Sequence, residues 1–424
     1  MMCMHGRLKT CTSKVLTNFN IFVVHSTHFS LVLYPMKRTL RILLFLVALL
    51  GLTYTATYTN RLAHLRNFAT WGPHTIYDYK SHPTRLVENG DAPQPWPLDS
   101  LYNKRDIPKS LIDSLEKQHT TAFLVFQNGK LKHERYWDRP GAPAGRDTLS
   151  GSFSAAKSMI SLLIGIALDE GRIKSLDEPV ANYLNHFKEG DLVKVRIKDL
   201  LTMSSGLSWK ESDKGYFSLN AYGYYGDDMD YTVSRMEPKE PAGKTWEYRS
   251  GDTQVLGLIV EKVFGNSISE LVSERFARPM HFEHDALWLL DGAQKHEKAF
   301  CCFNGTARDY GRFGQLVLNG GAWNGKQIVS KTYLDAAMTP ASYLKDPTED
   351  MRPVDYYGYQ YWILNHPNGM KVPSMNGLFG QYVYILKEKN AVIVRLGNST
   401  IEQFIHHYQP ENFYYIDAGL SVLD

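Results

Sequence analysis

The chain has 424 residues, of which 43% are hydrophobic, and this suffices for a large buried core in two or three structural units. Its formal net charge is only +3, and its acidic and basic residues are interspersed, which excludes the electrostatic footprint of a nucleic-acid-binding protein. A small molecule is therefore the expected partner.

The clearest targeting signal begins at Met36, where three basic residues precede an apolar run over 42–52. We interpret residues 1–35 as a doubtful leader and Met36 as a plausible true start. Because the small-x-small pattern of a good cleavage site is missing, residues 36–60 fit both a cleaved signal peptide and an inner-membrane anchor over 42–58. In both cases the rest of the chain is expected to be exported, to the periplasm or another extracytoplasmic space.

The next segments in chain order mark the start of a sheet. Residues 61–118 hold many Pro, Asp and Asn residues with little periodicity, which predicts an irregular lead-in. Two β-rich runs follow in "TTAFLVFQNGKLKHERYW", joined by Asn128 and Gly129, and this pair is the strongest short signal for a β-hairpin.

The middle of the chain carries helix signals. Ser154 to Asp169 is apolar on nearly every face and is followed by Gly171, a pattern typical of a buried central helix. Two capping-box pairs predict further helix starts, namely Ser175 with Glu178 and Ser267 with Glu270.

From about residue 355 strand patterns return, and "GQYVYIL" and "AVIVRLGN" are predicted to pair antiparallel across a short turn. We therefore predict an α/β fold of the α+β type, with an antiparallel sheet flanked by helices. Residues 119–172 and 300–424 would form this α/β domain, and a mostly helical domain with a loop at 208–240 would be inserted at 173–299.

"SFSAAK" places Ser154 three residues before Lys157, so both side chains lie on one face of the predicted helix. A serine hydroxyl is a poor nucleophile until a base takes its proton, and burial lowers the pKa of a lysine enough for its amine to do so. The pattern alone also fits an ordinary capped helix. Lys157, however, lies in the most apolar helix of the chain, where an unpaired charge is costly, and a catalytic role explains its presence.

A second segment, "PAGKTWEYRSGDTQVLG", ends a loop just before a predicted helix. Tyr248 near a lysine can relay protons to and from the serine, and Ser250 can form a hydrogen bond with the amine. The chain has 26 tyrosines, so residue type alone does not single out Tyr248.

With these segments the chain resembles the serine β-lactamase-related family of penicillin-recognising hydrolases, and it is most similar to the 6-aminohexanoate-dimer hydrolase branch. The resemblance covers about residues 120–400 in the family's order, through "SFSAAKSMISLLIGIALDEGRI", "SLDEPVANYL", "RIKDLLTMSSGLSW", "PAGKTWEYRSGDTQVLGLIVEKV", "TARDYGRFGQLVLNGGAWNGKQIVS" and "NGLFGQYVYI". It implies a β-lactamase/transpeptidase-like fold. It also implies that Ser154 is the nucleophile, Lys157 its proton acceptor and Tyr248 the second-motif tyrosine. Ser250 stands where many relatives have Asn.

The resemblance implies a third motif at residues 377–381, on the edge strand that borders the site. There the backbone N–H of Leu378, which follows Gly377, would pair with that of Ser154 as an oxyanion hole. Where β-lactamases and carboxypeptidases carry Lys-Thr-Gly or His-x-Gly, this chain reads Met375-Asn376-Gly377. Without a cation to bind the carboxylate of a β-lactam or a D-Ala-D-Ala peptide, a neutral ester or amide is favoured.

Residues 216–231 are too rich in aromatics and glycine for a regular helix. We hypothesise a lid-like loop that contributes Tyr222 and Tyr224 to a substrate pocket, with packing on the helical domain as the alternative. Trp362 and Phe379 are further pocket candidates, although core packing also explains Trp362.

Four cysteines are too few for a disulfide framework, and we interpret Cys301 and Cys302 as two small semi-buried residues without cysteine chemistry. "HFEHD", at residues 281–285, lacks the spaced histidine pair of a helical zinc site. We therefore predict neither a metal nor a cofactor.

The sequence thus predicts a serine hydrolase that cleaves an ester or amide bond of a small neutral substrate through an acyl-enzyme on Ser154. Two alternatives stay open: a β-lactamase or D-Ala-D-Ala carboxypeptidase, and an exported, non-catalytic binding module with the same fold. The oligomeric state is not predicted.

Overall fold

The computed structural model describes residues 38–59, 61–138, 144–398 and 407–424. The doubtful leader at residues 1–35 lies outside the described residues. The chain divides into two compact units, residues 1–62 and residues 63–424. In the first unit the helix Arg38–Thr59 is long and apolar enough to cross a membrane, and it coincides with the segment predicted as a signal or an anchor.

The second unit is built on antiparallel sheets. Its strands, numbered in chain order, are β1 (Thr84–Val87), β2 (Thr120–Gln127), β3 (Lys130–Tyr136), β4 (Ser150–Gly151), β5 (Ala286–Leu289), β6 (Phe303–Gly305), β7 (Ala322–Trp323), β8 (Lys326–Gln327), β9 (Lys345–Asp346), β10 (Arg352–Pro353), β11 (Trp362–Asn365), β12 (Lys371–Gly377), β13 (Gln381–Leu386) and β14 (Ala391–Gly397). The main sheet has the order β11-β12-β13-β14-β2-β3, and a second sheet has the order β1-β5-β6-β4. Strands from early and late in the chain therefore share the main sheet, because β2 pairs with β14.

Helices flank these sheets. The α-helices of the second unit are Ala63–Trp71, Lys109–Lys117, Ala156–Asp169, Ile197–Leu201, Leu219–Tyr225, Met229–Ser234, Ser250–Phe264, Ile268–Val272, Ala307–Leu318, Lys331–Ala337 and Glu411–Leu420. The arrangement confirms the predicted fold class, an α+β fold with an antiparallel sheet flanked by helices.

Local sequence signals explain the sheet. Asn128 and Gly129 both have positive φ, at 53° and 73°, which the two-residue hairpin turn between β2 and β3 requires. Strands β13 and β14 pair antiparallel from Tyr382 with Arg395 to Leu386 with Ala391. Both predicted pairings are confirmed.

The central helix, Ala156–Asp169, is buried over nearly its whole length and packs against the helix Ser250–Phe264 and strand β12. Because its own side chains are apolar on nearly every face, this helix is stable only when other elements cover it on all sides. Ser154 was predicted to lie in the first turn of this α-helix. It lies instead in a 3₁₀ turn, Phe153–Ala155, that directly precedes the helix.

Two stretches are more regular than the sequence predicted. The lead-in at residues 61–118 contains the helices Ala63–Trp71 and Lys109–Lys117 and the strand β1. Residues 216–231 are not a loop, because they contain the helix Leu219–Tyr225 and the start of the helix Met229–Ser234. Ser218 and Asp228 cap these two helices by accepting backbone N–H groups, and such caps offset the poor helix propensity of Gly and Tyr.

The two predicted capping boxes differ. Ser267 and Glu270 form one at the start of the helix Ile268–Val272, as predicted. Ser175 and Glu178 do not, since the segment after them forms only a short 3₁₀ turn at Val180–Asn182. Pro179 lies in an extended conformation before this turn, as its fixed φ allows.

Candidate active site

Ser154 and Lys157 are in direct contact. The Nζ atom of Lys157 lies 3.1 Å from Ser154 Oγ, 3.0 Å from Ser250 Oγ and 2.7 Å from the carbonyl oxygen of Phe300. Lys157 is buried, whereas Ser154 is half-buried. A neutral amine has two N–H donors and one lone pair. When Phe300 and Ser250 accept from the two donors, the lone pair is left for the proton of Ser154.

The surroundings shift Lys157 toward its neutral amine and keep Tyr248 a neutral phenol. Burial lowers the pKa of Lys157 to about 8, and the carboxylate of Glu211 offsets this shift in part. Burial raises the pKa of Tyr248, and a hydrogen bond with Ser154 opposes that shift. The Tyr248 ring lies 5.1 Å from Lys157 Nζ. Tyr248 is therefore a phenol that can donate a proton beside the amine, and not a tyrosinate.

The backbone around Ser154 is strained in a specific way. Phe153, directly before it, has φ +45°, and Phe379, in the third motif, has φ +61°. Positive φ is uncommon for bulky residues and persists where the surrounding structure enforces it. The two rings pack edge to face with centroids 5.1 Å apart, so they join the turn that presents Ser154 to the third motif.

Gly377 lies at the end of β12, against the turn that presents Ser154. A Cβ atom on Gly377 would lie 2.0 Å from the carbonyl oxygen of Ser152 and 3.2 Å from the amide nitrogen of Ala155. The prediction that this motif lies on an edge strand was wrong, because β11 pairs with β12 as far as Ser374. Beyond Ser374 that side of β12 is left unpaired by β11, and this end faces the turn. The Leu378 side chain is 52% exposed.

The predicted pocket residues divide into two groups. The ring of Trp362 lies 5.5 Å from that of Tyr248, and it also packs on the rings of Trp246 and Tyr357, as the core-packing alternative expects. Phe379 contacts Phe153, as described above. Tyr222 packs on His64 and beneath Arg235, and Tyr224 donates its hydroxyl proton to Asp78 in the interior. The contacts of Tyr222 and Tyr224 with other described residues therefore support the alternative, in which these tyrosines pack on the helical domain.

Sequence reasoning missed Glu211 and the carbonyl of Phe300. Glu211 Oε1 accepts from the backbone N–H of Ser250 at 2.6 Å and from the indole of Trp209 at 3.1 Å. In the sequence Glu211 stands in the charged run "KESDK", which is typical of a solvated loop, so its residue type carried no signal. A backbone carbonyl such as that of Phe300 carries none at all.

Cys301 and Cys302 correct the expectation of two separate thiols. They are joined by a disulfide between adjacent residues, and both are buried. Their sequence proximity gave no disulfide signal, because pairing patterns usually involve residues that are distant in the chain. The pair follows Phe300 directly, so the disulfide lies in the backbone segment that offers its carbonyl to Lys157.

Comparisons with known proteins show which proteins the chain resembles. The β-lactamase family model matches residues 109–411. The 6-aminohexanoate-dimer hydrolase of Paenarthrobacter ureafaciens is 27% identical over 339 residues, which cover 74% of this chain and 82% of that protein.

Two solved structures show the same fold. One is a Bacillus anthracis protein predicted to be a 6-aminohexanoate-dimer hydrolase, with a TM-score of 0.68, 24% identity, and coverage of 84% of this chain and 93% of that one. The other is a family VIII carboxylesterase, with a TM-score of 0.60, 15% identity, and coverage of 77% and 99%. Because the family model spans well over half of the 424 residues, the chain belongs to the β-lactamase family, a family of hydrolases.

Proposed function

We propose that this protein is a serine hydrolase that cleaves an ester or amide bond of a small neutral substrate through an acyl-enzyme on Ser154. The observation that carries the proposal is the buried Lys157 amine, 3.1 Å from Ser154 Oγ, with its other two contacts taken by acceptors. A buried lysine without a carboxylate in hydrogen-bond contact is costly, and a proton-accepting role explains why this one is placed beside a hydroxyl.

In the first half-reaction Ser154 Oγ attacks the carbonyl carbon of the substrate, and its proton moves to Lys157 Nζ. The tetrahedral intermediate then collapses, and the bond to the leaving alcohol or amine breaks. Tyr248 gives its proton to that leaving group and takes one back from the Lys157 ammonium. Burial lowers the pKa of Lys157 and raises that of Tyr248, so it favours the neutral form of both side chains before attack, as these roles require.

In the second half-reaction water attacks the acyl ester. Its proton passes to Lys157, the acid is released, and Ser154 recovers a proton from the ammonium. The backbone N–H groups of Ser154 and Leu378 would stabilise the oxyanion in both halves. The close approach of Gly377 to the Ser152–Ala155 turn supports this pairing, because it brings the Leu378 segment next to the nucleophile.

The substrate class follows from the third motif. Met375 is fully buried in the core, so the motif offers no side-chain cation to a substrate carboxylate. The rings of Trp362 and Phe379, which contact Tyr248 and Phe153, would instead face an uncharged substrate. The names of the relatives, a 6-aminohexanoate-dimer hydrolase and a carboxylesterase, are consistent with a neutral ester or amide. A β-lactamase or carboxypeptidase function has less support.

Export is the second part of the proposal. The helix Arg38–Thr59 would act as a signal or as an anchor in the inner membrane, with the hydrolase unit in the periplasm or an equivalent space. N-terminal sequencing of the mature chain, together with alkaline carbonate extraction of membranes, tests this. A cytosolic chain that begins before the helix would contradict it.

Labelling and turnover test the hydrolase. A fluorophosphonate should label Ser154, and p-nitrophenyl acyl esters should give a burst followed by steady turnover. Ser154→Ala should abolish both without changing the melting temperature. Nitrocefin and a D-Ala-D-Ala peptide should be poor substrates. A folded protein that neither reacts with the probe nor turns over any ester or amide would be a binding module and not an enzyme.

A further inference from the structure

Glu211 is an exposed residue whose carboxylate binds the backbone next to Lys157. Its Oε1 accepts two hydrogen bonds, from the backbone N–H of Ser250 and from the indole N–H of Trp209. Both donors belong to buried residues, although Glu211 itself is exposed. The carboxylate is thus fixed at the start of the helix Ser250–Phe264, where it binds the backbone of Ser250, the residue whose hydroxyl contacts Lys157.

We propose that Glu211 is a positioning residue for the hydrolysis: it stabilises the ammonium that forms on Lys157 when Ser154 transfers its proton, and it holds Ser250 within reach of Lys157. This inference rests on the proposed serine hydrolase function. Glu211 does not touch the reacting atoms in this scheme and acts through Lys157 and Ser250.

The groups around the Lys157 amine single out Glu211. Ser154 faces Nζ from the preceding turn, Tyr248 and Ser250 face it from the segment that enters the next helix, and Phe300 faces it with its carbonyl and ring. All of these are neutral. Among the described residues, Glu211 is the charged group that acts on Lys157, and it raises the lysine pKa against the effect of burial.

The charge helps the transition state more than the resting enzyme. In the form of the enzyme that can react, Lys157 is a neutral amine before attack and gains little from a carboxylate. After proton transfer it is an ammonium in a site without other counter-charge among the groups that face it. An interaction that strengthens between these two states lowers the barrier to attack.

The second part of the role is geometric. The first N–H groups of a helix have no partner within the helix, and a carboxylate there satisfies one of them and interacts favourably with the helix dipole. Glu211 does this for the N–H of Ser250, whose hydroxyl lies 3.0 Å from Lys157 Nζ. The same contact thus fixes the residue that orients the amine.

Glu211→Gln tests the charge, because the amide oxygen can still accept both hydrogen bonds. We would measure, from pH 5.5 to 10, the rate of Ser154 labelling by a fluorophosphonate and kcat/KM for an acyl ester. The expected result is an acid limb whose midpoint moves to lower pH, together with a plateau rate that falls roughly three- to tenfold. Asp213→Asn is the matched control, since it removes a carboxylate from the same exposed loop, and its profile should equal that of the wild type.

A direct titration separates this proposal from the hydrolase proposal. The Lys157 side-chain amine can be followed by ¹⁵N NMR in lysine-labelled protein, whether or not the protein turns over a substrate. A lower Lys157 pKa in Glu211→Gln, with an unchanged melting temperature, supports the role of Glu211. An unchanged pKa in that variant overturns it, even if Ser154 labels normally. Absence of labelling in the wild type would instead overturn the hydrolase proposal. The NMR titration of Lys157 would then still test the effect of Glu211 on the lysine.

Discussion

The carbonyl oxygen of Ser152 occupies the space where Gly377 would carry a Cβ atom: the two positions are 2.0 Å apart. Gly377 is in an ordinary extended conformation, so the glycine is required by this close approach and not by its φ angle. The contact joins the last residue of β12 to the turn that presents Ser154. The absence of a side chain at Gly377 therefore sets the separation between the Ser154 turn and the third motif.

The variant Gly377→Ala should lose activity with only a modest loss of stability. A methyl group in that space must push the end of β12 away from the nucleophile turn, and a displacement of about 1 Å at a catalytic centre costs on the order of 10²-fold in rate. The acylation rate, measured with a fluorophosphonate, reports this directly. Gly145→Ala is the control, because its nearest atom would be Thr148 Oγ1 at 3.7 Å. Equal acylation rates in the two variants would contradict the assignment.

The pH profile should follow the lysine. Burial lowers the pKa of Lys157 to about 8, so below this pH most of the enzyme carries an ammonium that cannot accept the serine proton. Acylation should therefore fall about tenfold for each pH unit below the midpoint and level off above it. Because the pKa of Tyr248 is raised, the plateau should extend above pH 9. A midpoint near 6 or 10 would show that another group controls the rate.

Tyr248→Phe should distinguish leaving groups. If the phenol protonates the departing atom, its removal should slow an alkyl amide or alkyl ester by about 10²- to 10⁴-fold. A p-nitrophenyl ester should lose much less, since p-nitrophenolate leaves without a proton. Tyr343→Phe, at an exposed tyrosine, serves as the control. A uniform loss across all substrates would assign Tyr248 a structural role instead.

Structural features that depend on residues close together in the sequence were predictable. The hairpin at Asn128-Gly129 and the buried helix after Ser154 follow from local patterns, and the Ser154 to Lys157 contact follows from helical spacing. What could not be predicted depends on contacts between distant segments. The partners of Lys157 include a backbone carbonyl 143 residues away, and the carboxylate of Glu211 reaches a helix start 39 residues further on.

Contacts between distant segments also explain where the structure differs from the prediction. The helix Leu219–Tyr225 forms despite its glycine and tyrosines, because Ser218 caps it and its rings pack on distant residues such as His64. The disulfide between Cys301 and Cys302 requires a backbone conformation at that segment that no spacing rule describes. The sheet was predictable as antiparallel, but the short reach of β11 along β12 was not.

Asp252 provides a test of stability at the edge of the site. It lies in the first turn of the helix Ser250–Phe264, fully buried, and its Oδ1 accepts from Ser205 Oγ at 2.6 Å. Its Oδ2 is buried without a hydrogen-bond partner among the described residues. Burial raises the pKa of Asp252 to about 7, and the charge of Arg249 opposes this shift. The folded protein therefore keeps a proton that the unfolded chain releases near its ordinary pKa of 3.8.

Between these two pKa values the unfolded state binds fewer protons than the folded state, so this carboxyl makes stability fall as pH rises from about 4 to 7 and level off above. Asp252→Asn removes the titration while its amide oxygen can still accept from Ser205. We expect the melting temperature of the variant, relative to the wild type, to rise by a few degrees between pH 4.5 and pH 8. Thermal unfolding of both proteins across that range measures the difference, in which the other titrating groups cancel. A difference that stays constant with pH would mean that Asp252 is ionised in the folded protein throughout.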